Sequence, residues 1–174
     1  MTDKQGEEKK IYMKVPGDTG FLGLVRKAIV ELGLKTGFDP DDLAQVEMAV
    51  DEACANIMNH AYSPDKNAET DLEKNICVLN NQLEDGSDRP VELRININQE
   101  RLLVELKDKG RSFDFDKKGD LDLDEYFSKM EVGGLGVYIM KTFMDKVFYE
   151  YIEGEGNKLQ MIKYLRREDH ADRV

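Results

Sequence analysis

The 174-residue sequence predicts an α+β domain, a two-layer α/β sandwich with helices on one face of a mostly antiparallel sheet. Three observations carry this. Short runs alternating apolar and polar residues read as strands. Three other segments repeat apolar residues at steps of three and four, as helices do. Two pairs of the strand-like runs are separated by only a few residues, a link short enough for hairpins but not for parallel crossovers.

Taken in order, residues 1–9 are charged and read as a flexible lead. Lys10–Val15 (KIYMKV) alternates as an edge strand does. Pro16-Gly17 breaks it, and Asp18 or Thr19 offers a cap for a helix reaching about Lys35, with Leu22, Val25, Ile29 and Leu32 as its buried stripe. Gly37 ends that unit. Asp39-Pro40 then opens a second helix with a cap residue followed by proline at the first helical position. Its body, Val46–Tyr62 (VEMAVDEACANIMNHAY), carries a stripe of Val46, Ala49, Val50, Ala53, Cys54, Ile57, Met58 and Ala61.

Residues 63–90, bracketed by Pro64 and Pro90, read as an acidic insertion. Thr70 and Glu73 form a capping box there, Leu72, Ile76, Leu79 and Leu83 follow at helical steps, and Gly86 supplies a stop. A short amphipathic helix covering exposed core is the plainer reading, a docking surface the other. Val91–Asn98 and Arg101–Asp108 form a hairpin across Gln99-Glu100, although these are not ideal turn residues. A long polar loop, 109–132, has the length of a lid or binding loop. Gly134–Met144 reads as a helix, and Val147–Ile152 with Lys158–Leu165 as a closing hairpin across Glu153-Gly154-Glu155-Gly156. The tail, 166–174, is charged. One domain, 10–165, accounts for the rest.

Composition narrows the function. There are 36 acidic against 25 basic residues, a net charge of −11, which repels nucleic-acid phosphates. No apolar run approaches the ~20 residues that span a bilayer. The N-terminus, MTDKQGEEKK, lacks the apolar core of a signal peptide. Cys54 and Cys77 make no metal-ligand pattern and fit thiols in a reducing compartment. A cytoplasmic protein without membrane or nucleic-acid contact is expected.

Chemistry-bearing residues fall into three groups. Glu52, Asn56 and His60 follow one another at four-residue steps, so they project along one line of the second helix. Such a row commonly marks only a solvated face. Asp108 ends a strand and could accept a hydrogen bond from an exocyclic amine such as that of adenine, with Gly110 letting a ring approach the backbone. Gly133, Gly134 and Gly136 stand at the mouth of a helix, where free amides and the helix dipole favour phosphate.

Together the three groups resemble the nucleotide-binding fold of the GHKL ATPases, which include gyrase, histidine kinases and MutL. More closely, the chain is similar to the anti-sigma factor serine/threonine kinases, over most of residues 10–165. The N box matches at Glu52 and Asn56 within DEACANIMNHAY, the first glycine box at Asp108 and Gly110 within DKGRSF, and the second at Gly134, Leu135 and Gly136 within GGLGVYIMKTFMD. The resemblance implies the Bergerat-type ATP-binding fold, with 109–132 as the ATP lid. It implies Asn56 as a Mg²⁺ ligand, Glu52 as general base, Asp108 and Gly110 at the adenine, and Gly134, Leu135 and Gly136 at the phosphates. His60 fits the family pattern and is expected to make a structural hydrogen bond. Arg26, on the first helix, stands where the resemblance places a partner-contacting arginine, and the apolar stripe of that helix would leave it free to reach outward.

The implied activity is a Mg-ATP-dependent serine/threonine kinase that phosphorylates a STAS-domain anti-anti-sigma protein and sequesters a sigma factor, commonly as a homodimer. A nucleotide-dependent adaptor, or an ATPase acting through water, would use the same residues. Three departures stand out: the long 63–90 segment, Lys129-Met130-Glu131-Val132 where an arginine is common, and Gly156-Asn157 where a glycine-threonine pair is common.

Overall fold

Period-two alternation along five strands sorts their side chains onto two faces, and one of those faces is almost wholly apolar. The computed structural model describes residues 8–16, 19–58, 90–112, 115 and 135–166. In chain order these form β1 (Lys9–Val15), a 3-10 turn (Thr19–Phe21), α1 (Leu22–Thr36), α2 (Pro40–Asn56), β2 (Val91–Ile97), β3 (Arg101–Asp108), α3 (Leu135–Phe143), β4 (Lys146–Ile152) and β5 (Gly156–Tyr164). The sheet order is β1-β2-β3-β5-β4, and every neighbouring pair is antiparallel. The α+β sandwich expected from sequence is the fold observed. The stretch bearing the Thr70–Glu73 capping box, most of the 109–132 loop, Cys77 and His60 lie outside the described residues.

In register, Leu93, Ile95 and Ile97 of β2 sit beside Leu106, Val104 and Leu102 of β3, and Val104 and Leu106 sit beside Met161 and Leu159 of β5. All are buried, under Val25 and Ile29 of α1, Leu43, Val46, Ala49, Val50 and Ala53 of α2, and Val137 and Met140 of α3. Each fully buried aliphatic chain of this size is worth about 1.5–3 kcal/mol relative to exposure, which is what fixes the helices to this face. A side chain at Gly33 would run into Leu43, so the glycine is what lets α1 and α2 approach.

Local chemistry explains the boundaries. Asp39 caps α2, its Oδ1 accepting from Asp41 N at 2.8 Å, with Pro40 at the first helical position. Gly37 closes α1 at φ 98°, its N–H donating to the carbonyls of Gly33 and Leu34. The start of α1 differs from expectation. Phe21 occupies the cap position without a side-chain hydrogen bond, because the chain enters through the 3-10 turn and a phenylalanine side chain has no acceptor to offer. The expected caps lie outside this position, and Asp18 lies outside the described residues. Leu22 and Leu32 are only half-buried, and Gly33 joins Val25 and Ile29 on the buried line. The β2–β3 turn owes its geometry to Asn98, whose Oδ1 accepts from the amides of Glu100 and Arg101, both at 2.9 Å. That Asx turn does what the Gln99-Glu100 pair could not.

Among the buried charged side chains, one lies deepest in the core. Lys163 of β5 is 2 % exposed. Its ammonium donates to Gln45 Oε1 at 2.7 Å and to the Phe143 carbonyl at 2.9 Å, and lies 3.3 Å from Asp42 Oδ1. Two hydrogen bonds and one ion pair thus hold the ammonium, and the positive charge sits at the C-terminal end of α3, where the helix dipole favours it. Asp42→Ala strands that ammonium. It is expected to cost roughly 3–5 kcal/mol of unfolding free energy in urea titrations, as removal of one partner of a buried ion pair does. A cost below about 1 kcal/mol, typical of surface pairs, would show that the clamp is not structural.

Candidate functional site

At the other end of the same strand pair, β3 finishes on Asp108, opposite Asn157 of β5. The alternation turns Asp108 toward the helices, and it is 5 % exposed. Its Oδ1 accepts from Gly110 N at 2.7 Å and from Asn157 Nδ2 at 2.9 Å. Burial raises the carboxyl above the usual carboxylate range, and these two donors partly oppose the rise. Gly156, at φ 101°, is needed here twice over: the left-handed backbone suits glycine, and a Cβ would collide with the Asp108 carbonyl oxygen.

Asn157 does more than meet Asp108. Its Nδ2 also reaches the carbonyls of Gly110 and Arg111, each at 3.1 Å, and its Oδ1 accepts from the Tyr149 hydroxyl at 2.7 Å. Tyr149 in turn stacks on Phe115, with ring centroids 5.5 Å apart, and Lys141 Nζ lies 5.2 Å from the Phe115 centroid. Phe115, from the loop read as a lid, is thus buried against the sheet and α3.

Asp108 and Asn56 line one cleft whose walls include Ala53, Ile57, Met140 and Leu159. Apolar walls with one carboxylate among them suit a heteroaromatic ring bearing an amine. Glu52 and Asn56 are half-buried on one line of α2, and beyond Asn56 the helix opens into a π turn at Ile57 and Met58, a distortion frequent at functional sites. Across from them stands Gly136 in the first turn of α3. A Cβ at Gly136 would lie 2.7 Å from Glu52 Oε2 and 3.1 Å from Asn56 Nδ2. Glycine at this position brings the start of α3 close to the ends of these two side chains, which would otherwise have to shift. Leu135 is the first residue of α3, and Gly134 lies outside the described residues.

The structure therefore brings Glu52, Asn56, Asp108, Gly110 and Gly136 to one end of the α2–α3 pair. Among the described residues, no group of three or more His, Cys, Asp or Glu could hold a metal ion. The carboxamide oxygen of Asn56 is an oxygen donor of the kind Mg²⁺ accepts, and that ion takes most of its shell from phosphate and water. Cys54, buried, has its thiol pushed up to about 12 by burial and by the neighbouring Asp51 carboxylate, so it carries no reactive thiolate.

Two expectations change. Arg26 is exposed but not free: its NH1 lies 3.1 Å from Asp51 Oδ2 on α2. The sequence could not show this because the two residues are 25 apart and meet only through α1–α2 packing. Asn157 and Tyr149, which hold the Asp108 loop, were not among the candidates. Gly156-Asn157 was visible only as a departure, and its contact with Asp108 follows from the β3–β5 register.

The family model of the histidine kinase-like ATPase domain matches residues 15–163. Among curated proteins, the serine-protein kinase RsbW of Bacillus subtilis (strain 168) is 34% identical over 167 residues, covering 92% of this chain and 89% of that protein. The protein of the same name from Bacillus velezensis is 32% identical, covering 94% and 92%, and that of Halalkalibacterium halodurans 30%, covering 97% and 91%. Among solved structures, a chain of the SiaB–SiaC complex from Pseudomonas aeruginosa superimposes with a TM-score of 0.56 at 11% identity over 89% of each chain, a likeness of fold alone.

The raised Asp108 carboxyl has a stability consequence. A folded-state pKa above the unfolded value means that ionisation, as pH rises from the unfolded toward the folded value, removes stability. Asp108→Asn keeps an acceptor for Gly110 N and Asn157 Nδ2 and removes the buried charge. Its melting temperature at pH 7 is expected to equal or exceed that of the wild type, with the gap closing as pH falls through the folded-state value. A variant several degrees less stable at pH 7 would show that the carboxylate charge supports the fold.

Proposed function

This chain belongs to the histidine kinase-like ATPase domain family, and on that premise we propose that it is a Mg-ATP-dependent serine/threonine protein kinase of the anti-sigma factor type. The observation that supports this most directly is Gly136 seated on Glu52 and Asn56, which joins a base, a metal ligand and a phosphate-binding helix start at one place. The RsbW relatives, named serine-protein kinases, match over nearly their whole length.

In this reading the adenine ring enters the cleft between Ala53, Ile57, Met140 and Leu159, with its amine toward Asp108. Asn56 holds Mg²⁺ through its carboxamide oxygen. Gly134, Leu135 and Gly136 receive the phosphates on the amides that begin α3, and Gly110 leaves room at the edge of the base. When bound, Mg²⁺ neutralises charge on the phosphate oxygens. Glu52 takes the proton from the attacking serine or threonine hydroxyl. That oxygen bonds to the γ-phosphorus as the bridge to the β-phosphate breaks, and ADP leaves with the bridging oxygen.

The protein substrate is a STAS-domain anti-anti-sigma protein, and a sigma factor is the alternative occupant of the docking surface. The chain acts as a homodimer in the cytoplasm, without direct contact to nucleic acid or membrane. No described helix is long and apolar enough to cross a membrane. Arg26 contributes to docking by exchanging Asp51 for a carboxylate on the partner, where its planar fork can make two parallel bonds.

Glu52 separates chemistry from binding. Glu52→Gln is expected to bind Mg-ATP as the wild type does and to lose about 10²–10⁴-fold in transfer of labelled phosphate to a purified STAS-domain protein. Asn56→Ala should weaken ATP binding in calorimetry only when Mg²⁺ is present. Full transfer activity in Glu52→Gln would remove the proposed base.

Docking is tested at Arg26. Arg26→Ala is expected to cost roughly 2 kcal/mol in capture of the STAS-domain partner, the low end for a charge pair that is only partly desolvated, with ATP affinity unchanged. Undiminished capture by Arg26→Ala, with capture lost on deletion of residues 66–88, would move the docking surface to that segment.

A further inference from the structure

The amide of Asn157 can sit only one way round. Its Nδ2 faces three acceptors, namely Asp108 Oδ1 and the carbonyls of Gly110 and Arg111, while its Oδ1 faces a donor, the Tyr149 hydroxyl. Turned over, an oxygen would face a carboxylate and two carbonyls. The side chain is 7 % exposed, so water cannot relieve that arrangement. One residue thus gathers the end of β3 and the following loop around a single NH₂ group.

The consequence falls on Asp108. Among the described residues, both hydrogen bonds to its carboxylate arrive at Oδ1, one from Asn157 Nδ2 and one from Gly110 N. Two donors on one oxygen fix the plane of the carboxylate and leave Oδ2 as its remaining acceptor, on a residue that lines the cleft. An acceptor there matches a 6-amino purine. It opposes a 6-oxo purine, whose O6 would bring lone pairs against lone pairs.

We propose that Asn157, oriented by Tyr149, is a positioning residue that sets purine selectivity: it holds Asp108 as a pure acceptor, admitting the 6-amino base and rejecting the 6-oxo base. This rests on the reading of the cleft as a nucleotide site and names what that site discriminates. Asn157 touches no reacting atom, and its effect is exerted through Asp108. A threonine in its place would offer one hydroxyl donor where the amide offers two N–H groups. Here the NH₂ group spans side chain and loop together, and Tyr149 ties the arrangement to β4.

Calorimetric titration of the full chain with Mg-ATP and with Mg-GTP tests this, for the wild type, Asn157→Ala, Asn157→Thr and Tyr149→Phe, with thermal melting of each as a check on folding. The wild type should favour ATP. In Asn157→Ala the ratio of GTP to ATP dissociation constants should fall by about tenfold or more, the scale of a hydrogen bond to a charged group. Tyr149→Phe should lower the ratio by a few-fold, and Asn157→Thr should retain more of it than the alanine. A purely structural role would weaken both nucleotides by one factor and leave the ratio alone. An unchanged ratio in Asn157→Ala and Tyr149→Phe, or equal wild-type affinities for the two nucleotides, overturns the proposal. If Asn157→Ala fails to fold, Tyr149→Phe and Asn157→Thr decide on the same ratio. Wild-type protein that binds neither nucleotide refutes the nucleotide site itself, a result distinct from the other outcomes.

Discussion

The antiparallel register of β3 against β5 governs the rest of this molecule. It runs unbroken from Arg101↔Tyr164 to Asp108↔Asn157. Two buried charges lie on it and on the same face: Lys163 opposite Leu102 at one end, Asp108 opposite Asn157 at the other. A slip of one residue would turn each of these side chains to the opposite face. The clamp under α2 and α3 and the acceptor in the cleft would then be lost together.

Helices α2 and α3 lie between these two anchors. The start of α2 (Asp42, Gln45) and the end of α3 (Phe143) meet at the Lys163 ammonium, while the end of α2 (Glu52, Asn56) and the start of α3 (Gly136) meet at the site. The pair is antiparallel, pinned at one end and carrying the candidate site at the other. At the pinned end a buried charge sits among its partners. At the site a glycine brings the start of α3 close to two side chains of α2. Phe115 adds a third attachment, bringing one residue of the loop after Asp108 onto Tyr149 and Lys141.

The polar groups divide by the same logic. Lys163 is satisfied by three partners and supports the fold. Asp108 carries a charge that burial opposes and that two donors on one oxygen partly offset. Arg26 and Asp51 form a half-exposed pair of small energetic weight, suited to exchange for another carboxylate.

The sequence by itself determined the elements and named the candidate residues that the structure brings together. Helical and strand periodicity placed five strands and three helices within a few residues, since a buried face must repeat at the period of its element. Local chemistry was equally plain at Asp39-Pro40 and Gly37. Glu52 and Asn56 were legible as one row because four residues make about one turn, and Asp108 as a strand end because it closes an alternating run. Only the resemblance of the three groups together marked them as a site. What only tertiary structure decided lies across the sheet and between helices. The bond from Asn157 to Asp108, 49 residues apart, needs strand register. The seat of Lys163 on Gln45, 118 residues away, needs a helix laid over β5. The pairing of Arg26 with Asp51 needs α1 packed on α2. No local periodicity carries such information, because it belongs to which apolar faces come to share one core.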